Sequence, residues 1–254
     1  MVRSKRVNAL KVAKRSATID NEVHTRISKA SSTFGKLNSS VWHRDGISLQ
    51  TKLKVYRAVV LPVLLYAGET WTVYRRHVQK LNHFHTLCLR KIMNVKWQEK
   101  IPDTSILDRA GIPSIDTILM KTQIRWAGHV VRMPDHRLPK LLLYGQIKEG
   151  KRSQGGQKKR YKDTLKISLK AFGIKHDTWE DTARNRSTWR LAIQKGATSC
   201  EASRTAAAQQ RRLDRKARAD DIPTTASITC PHCSRTIRAR IGLISHLRTH
   251  EHIK

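Results

Sequence analysis

Two cysteines and two histidines near the C-terminus are spaced in a way that few small folds can accommodate. Cys230 and Cys233 are separated by two residues, Cys233 and His246 by twelve, and His246 and His250 by three. Two thiolates from a tight turn and two imidazoles from successive turns of one helix are a tetrahedral ligand set that zinc takes in structural sites. The spacing therefore predicts a ββα zinc finger of the Cys2His2 type over residues 228–254, with zinc as its cofactor.

Two apolar residues complete the pattern of such a module. Ile237 stands where fingers of this type usually carry an aromatic side chain, and Leu243 precedes the first histidine ligand by three residues. These side chains would pack the helix onto the hairpin, but a core of this size is too small to fold by itself. We therefore expect metal binding to supply most of the folding free energy of the module, on the order of 10 kcal/mol at neutral pH.

The helix of this module offers little for reading a base sequence. Such helices usually contact bases from the positions that Ala239, Gly242 and Ser245 occupy here. None of these side chains can make the bidentate contacts that Arg makes with guanine or Asn with adenine. We expect either contacts to a nucleic-acid backbone, with little sequence specificity, or a protein partner held by apolar side chains such as Ile241 and Leu247.

The charge of the chain points to a polyanionic partner. Lysines and arginines number 51 against 19 aspartates and glutamates, a formal net charge of +32. Such an excess destabilises a compact fold by self-repulsion, which a polyanion relieves, so RNA or DNA is the expected partner. A membrane fits less well, because the longest apolar run, residues 58–67, contains Pro62 and is too short to cross a bilayer.

Cysteine usage bears on the compartment. Four cysteines in 254 residues are too few for a disulfide framework, and two of them belong to the ligand set. This usage predicts a reducing environment, and the expected location is intracellular, in the nucleus. Cys88 lies on the apolar side of a predicted helix, where packing explains it better than reactivity does.

Apolar residues recur at intervals of three and four through much of the chain, and we find no series of alternating runs joined by hairpin turns. This periodicity predicts a mostly α-helical fold. Ser48 is a predicted N-cap, and Pro62 is predicted to kink or end the helix that Ser48 begins. The predicted helices cover residues 19–37, 48–60, 74–95, 104–110, 115–132 and 161–172, followed by a short helical pair with Trp179 and Trp189.

Composition predicts five segments. Residues 1–17 form a basic arm, and residues 18–147 form a helical domain. Residues 148–198 contain a basic glycine-rich loop and further helices. Residues 199–227 are rich in Ala, Arg and Gln with few large apolar side chains, which predicts an exposed, basic helical linker. The predicted finger, residues 228–254, follows.

Cations of the basic loop and of the linker are the candidates for contacting nucleic acid. The alternative for any one cluster is a solvated charged face, but the excess persists over the arm, the loop and the linker. Six tryptophans could stack on bases, although packing in a helical core explains most of them better. The candidate residues are Lys151, Arg152, Lys158, Lys159, Arg160, Lys162, Arg211, Arg212 and Arg215.

Five stretches of the chain, taken in order, carry a resemblance to a known family. They are residues 51–62 (TKLKVYRAVVLP), 64–71 (LLYAGETW), 125–133 (RWAGHVVRM), 150–163 (GKRSQGGQKKRYKD) and 241–250 (IGLISHLRTH). Together they resemble the C-terminal end of reverse transcriptases from LINE-type, non-LTR retrotransposons. The resemblance implies that residues 18–147 are a thumb-like domain gripping a duplex across its backbone, with a finger at the C-terminus.

The catalytic part of that family is not found in this sequence. Its polymerase palm carries an aromatic-x-Asp-Asp turn whose carboxylates hold two metal ions. The single Asp-Asp pair here, Asp220-Asp221, follows Arg218-Ala219 in the polar linker. We therefore expect a non-catalytic nucleic-acid-binding and zinc-binding protein rather than an enzyme. Two alternatives stay open at this point: an inactive fragment of an RNA-directed DNA polymerase, and a zinc-dependent protein adaptor.

Overall fold

A computed structural model describes residues 19–145, 159–220, 228–237 and 240–251. Its described residues are mostly helical, with one two-stranded sheet near the C-terminus, which confirms the predicted mostly α-helical fold. The chain divides into two compact units, Met1–Thr205 and Ala206–Lys254. The predicted basic arm, residues 1–17, lies outside the described residues.

The first part of the Met1–Thr205 unit is a set of helices around one apolar core. Large side chains such as Leu53, Leu64 and Leu81 are almost wholly buried there. Burying side chains of this size stabilises a fold by roughly 2 kcal/mol each, which makes this core a main source of stability. Its helices are α1 (Ile19–Lys36), α2 (Leu49–Val55), α3 (Leu61–Leu64), α4 (Arg75–Ile92) and α5 (Asp103–Ala110), followed by α6 (Ile115–Val131).

Local signals explain where several of these helices begin and end. The Ser48 hydroxyl accepts a hydrogen bond from the Thr51 N–H (3.3 Å), so the predicted N-cap is confirmed. Ser114 caps α6 in the same way. Gly111 ends α5 with a φ of +58°, a left-handed conformation that glycine adopts at low cost.

The helical run that contains Pro62 does not stop at the proline. Between α2 and α3 the backbone winds as a π-helix over Tyr56–Val60, and the Leu61 N–H donates to the Tyr56 carbonyl, five residues back. Pro62 then lies in the first turn of α3, where an N–H donor is least needed. The helical run therefore changes its type before the proline and ends at Leu64, two residues beyond it.

A second apolar core lies at the other end of α6. Ile124 and Ala127 pack there with residues of α8 (Tyr161–Ala171), α9 (Trp179–Arg184) and α10 (Arg186–Asp220). The α6 backbone approaches α10 closely, because a Cβ added to Gly128 would overlap the Trp189 indole. A further short helix, α7 (Leu138–Tyr144), was not predicted from the sequence.

Helix α10 runs through the predicted boundary between residues 148–198 and the linker, residues 199–227. It runs unbroken from Arg186 to Asp220, so Ser199, the predicted start of an exposed linker, is a mid-helix residue. Cys200 is buried, and the Glu201 carboxylate accepts hydrogen bonds from the Ser114 hydroxyl (2.8 Å) and from Thr117. The first turns of that segment therefore belong to the packed unit, since they satisfy polar groups at the start of α6.

No helix in the described ranges combines the length and the apolar character that crossing a bilayer requires.

Candidate metal centre and nucleic-acid interface

A small hairpin presents the two cysteines of the predicted ligand set. Strands β1 (Ile228–Thr229) and β2 (Thr236–Ile237) are antiparallel, with Ile228 opposite Ile237. The Cys230 N–H donates to the Arg235 carbonyl (3.0 Å), which closes the loop between the strands. The loop therefore holds both thiols on one side of the hairpin.

Helix α11 (Arg240–Glu251) presents the two histidines. Because His246 and His250 are four residues apart, their side chains lie one above the other on the same helix face. The position of Gly242 brings this helix against the hairpin, since a Cβ there would meet the Ile237 side chain at 2.9 Å. Hairpin and helix together bring all four predicted ligands into one group.

The distances within this group fit a tetrahedral metal site. All four ligand atoms lie within 4.8 Å of one another. The Nε2 atoms of His246 and His250 are 3.2 Å apart, Cys233 Sγ is 3.2 Å from His246 Nε2, and Cys230 Sγ is 3.7 Å from His250 Nε2. Zinc–ligand bonds of about 2.0–2.3 Å in a tetrahedron place neighbouring ligand atoms about 3.3–3.8 Å apart. The Cys2His2 group can therefore hold a metal ion.

The surroundings of two ligands favour the deprotonated forms that bind metal. Burial raises the pKa of the Cys230 thiol, but hydrogen bonds from the backbones of His232 and Cys233 outweigh it, and the pKa is lowered overall. The pKa of His246 is lowered by burial and then by the positive charges of His250 and Arg235. Both shifts reduce the competition between protons and a metal ion.

Gly242 and Ser245, the described residues at the positions of α11 that usually contact bases, cannot make a bidentate contact with a base. Gly242 lies against Ile237, and Ser245 is exposed but short. Ala239 lies outside the described residues. Ile241 and Ile244 are 82% and 51% exposed, so the helix presents apolar surface to solvent.

The structure separates the predicted nucleic-acid contacts into distinct groups. Lys151, Arg152 and Lys158 lie outside the described residues. In the first unit, the Lys159 and Lys162 ammonium groups lie over the rings of Tyr74 and Tyr144, at 5.2 and 5.8 Å. The remaining predicted contacts are Arg160, which precedes α8 and whose N–H donates to Asp163, and the exposed arginines of α10 in the second unit, Arg211, Arg212 and Arg215.

The sequence analysis did not identify another group of positive charges in the first unit. Between α6 and the start of α10 lies a groove of about 770 Å³, and we call it the cationic groove. Glu69 is the one carboxylate among its lining residues. The spacing of Lys121 and Arg125 could have indicated a cationic face on α6. The proximity of that face to α10 depends on tertiary packing, which the sequence pattern does not show. Its cationic and aromatic side chains include Lys121, Arg125, Trp126, Arg132, Arg186 and Arg190.

Comparison with known proteins gives one similarity. A Caenorhabditis elegans protein described as uncharacterized and transposon-derived is 24% identical to this chain over 188 residues. The matched region is 70% of this chain and 66% of that protein, so the chain spans slightly less than two thirds of its relative. No protein-family model and no solved structure matches. The chain is therefore similar to a transposon-derived protein.

Proposed function

We propose that this chain is a non-catalytic, zinc-binding protein that binds the backbone of RNA or DNA, and that it derives from the C-terminal part of a non-LTR retrotransposon reverse transcriptase. The observation that carries the proposal is the unpaired positive charge. In the described residues six lysines or arginines form ion pairs with carboxylates, and most of the other described lysines and arginines have no carboxylate oxygen within 4.0 Å. Exposed cations without partners are the electrostatic footprint of nucleic-acid binding.

Zinc is the metal that we propose for the Cys2His2 group, as part of a ββα zinc finger. Two thiolates and two imidazoles in a tetrahedral arrangement are borderline-soft ligands, which zinc prefers to the oxygen ligands of magnesium or calcium. The assembly of the four side chains by a hairpin and a helix supports this proposal. The similarity to a transposon-derived protein supports the proposed origin.

Salt dependence of binding tests the proposal. We expect the full chain to bind a labelled 20-base-pair duplex tightly at low salt, with the logarithm of affinity falling steeply against the logarithm of salt, because counterion release dominates such binding. Replacing Lys158, Lys159 and Arg160 with Ala should make the slope shallower without changing sequence preference. An affinity that does not depend on salt would contradict the proposal and favour the protein adaptor.

Sequence specificity should be weak. We expect less than tenfold discrimination between a duplex and scrambled duplexes of equal length, and better competition by an RNA–DNA hybrid or structured RNA than by unstructured single strands. A preference above roughly a thousandfold for one sequence, the range of true sequence readers, would contradict this expectation. Primer extension on a primed template should give no product, and extension by the chain alone would show that it is an enzyme.

A protein adaptor is the second candidate function, and the exposure of Ile241 and Ile244 favours it. Apolar side chains on the outside of so small a module suit contact with another protein. Ile241→Asp with Ile244→Asp should leave nucleic-acid binding unchanged if the helix serves a protein partner alone.

A further inference from the structure

The cationic groove is built from two helix faces. Lys121 and Arg125 lie four residues apart on α6, Arg132 follows seven residues later as the C-cap of that helix, and Arg186 and Arg190 lie four apart on α10. Residues at these spacings share one face of a helix. Two rows of cations therefore flank a single channel in the first unit.

The cations in this groove form no ion pairs among the described residues. Among the residues that the structure describes, none of the five cations lies within 4.0 Å of a carboxylate oxygen. The Arg132 guanidinium instead donates to the Ala183 carbonyl, a neutral acceptor. The pKa of Arg132 is lowered by burial and then by the positive charge of Arg186, so these two guanidinium groups repel each other. An anion in the channel would relieve this repulsion.

An aromatic side chain, Trp126, lines the groove, and the two helices beside it are closely packed. Trp126 is half-buried beside the His129 ring, with ring centroids 5.5 Å apart. Aromatic faces beside rows of cations are the surface that binds nucleic-acid strands, because bases stack while phosphates are neutralised. The Trp189 indole lies against Gly128, so α6 and the start of α10 are packed closely beside the groove.

We propose that the cationic groove binds the phosphodiester backbone of a nucleic-acid strand, with Arg125 and Arg190 contacting phosphates from opposite sides and the Trp126 ring lying beside an unpaired base, such as the loops of a structured RNA present. The proposal rests on the proposed function and assigns it a surface. An acidic protein segment would match the charge of the groove but would use the aromatic wall less well, because it lacks bases to stack.

Matched charge removals test this assignment in the full chain. The groove variant is Arg125→Ala with Arg190→Ala, and the control variant is Lys29→Ala with Lys80→Ala, which removes two exposed cations from α1 and α4. We expect the groove variant to bind a labelled 20-nucleotide strand at least tenfold more weakly at 50 mM salt, with a salt slope shallower by about 1.4. The control variant should lose less than threefold.

Two further measurements separate charge from fold and position. Arg125→Lys with Arg190→Lys keeps the charge and should retain most of the salt slope, since the slope counts neutralised phosphates. The strand should quench intrinsic tryptophan emission in the natural chain, and Trp126→Phe should remove most of that quenching. Circular dichroism of each variant confirms that the helices are intact.

Each outcome has a distinct meaning. If the natural chain binds with a steep salt slope but the groove and control variants are equally affected, the groove assignment is wrong and the proposed function stands. If the natural chain does not bind nucleic acid at low salt, the proposed function and the assignment both fail. If polyglutamate of equal charge displaces the strand as well as unlabelled strand does, the groove accepts acidic protein and the assignment is overturned.

Discussion

In the first unit, Met1–Thr205, side chains such as Leu53, Leu81 and Ile124 are almost wholly buried, whereas in the described residues of the second unit, Ala206–Lys254, the one buried side chain is that of Cys230. The first unit can therefore gain its folding free energy from apolar burial. The second has little apolar surface to bury, and its buried thiol is itself a ligand of the metal site. Stability in one unit should be independent of metal, and in the other it should depend on metal.

Removing a ligand gives the largest expected effect. Cys233→Ser should abolish metal binding and with it on the order of 10 kcal/mol of folding free energy in the second unit, since a module of this size has no stable fold without its ion. The first unit should unfold at the same denaturant concentration as before. Cobalt absorption reports the metal site, and intrinsic fluorescence reports the first unit, because all six tryptophans lie within residues 1–205.

Two controls accompany this variant. Cys88→Ser removes a buried thiol of the first unit and should leave cobalt binding unchanged. Affinity for metal should also weaken as pH falls, because the ligands must lose their protons. Retention of the cobalt spectrum by Cys233→Ser, or loss of the first unit's unfolding transition, would contradict the expected difference in metal dependence between the two units.

Lowering the pH should instead reduce the free energy of unfolding of the first unit, because His85 is more easily protonated in the unfolded chain. The Tyr56 hydroxyl and His85 Nδ1 are 2.8 Å apart in the core, and burial lowers the pKa of His85 to about 4. The unfolded chain, with an ordinary pKa of about 6.5, binds a proton more readily than the folded chain between those values. The contribution of His85 is therefore fully present above pH 6.5 and is lost as pH falls toward 4, by about 3 kcal/mol in total.

Urea unfolding followed by tryptophan fluorescence at pH 7, 5.5 and 4.5 measures this effect. His85→Gln keeps a hydrogen-bonding side chain for Tyr56 but does not titrate, so it should make the free energy of unfolding less dependent on pH. His24→Gln, on an exposed position of α1, should keep the slope of the natural chain. Equal slopes for all three proteins would rule out the assigned role of His85.

The smallest effect tests how closely α6 and α10 pack. Gly128→Ala would place a methyl group in the Trp189 indole, and the resulting overpacking should cost about 1–3 kcal/mol of the first unit's stability. Gly35→Ala is the matched control, because nothing lies within 4 Å of the added methyl group in α1. That change should stabilise the unit by up to about 1 kcal/mol, since alanine favours a helix. Thermal unfolding monitored by fluorescence distinguishes the two signs.

The helices were predictable to the extent that their causes are local. Apolar periodicity and the Ser48 cap predicted the helices of the first core to within a few residues, and the ligand spacing predicted which four side chains meet. The π-helix at Tyr56–Val60 and the short helix α7 carry no comparable local signal. Their conformation is set by neighbouring elements of the fold.

Local sequence patterns did not predict the cationic groove. Runs of charge predicted nucleic-acid contacts in the glycine-rich loop. The groove instead brings together Arg125 and Arg190, which are far apart in sequence. Composition likewise did not indicate that Glu201 and Arg204, in the first turns of the predicted linker, make polar contacts with the start of α6. Composition measures apolar burial, and it does not detect polar docking between helices.

The reactivity of the four cysteines can report how much of the protein has bound metal. Burial raises the pKa of Cys88 to about 12 and raises that of Cys200, so both thiols are poor nucleophiles near neutral pH. Cys230 has a lowered pKa, and Cys233 is partly accessible. An alkylating reagent should therefore modify two thiols quickly in the metal-free chain and spare them when metal is bound. Counting fast-reacting thiols by mass spectrometry would give the loaded fraction of a preparation directly.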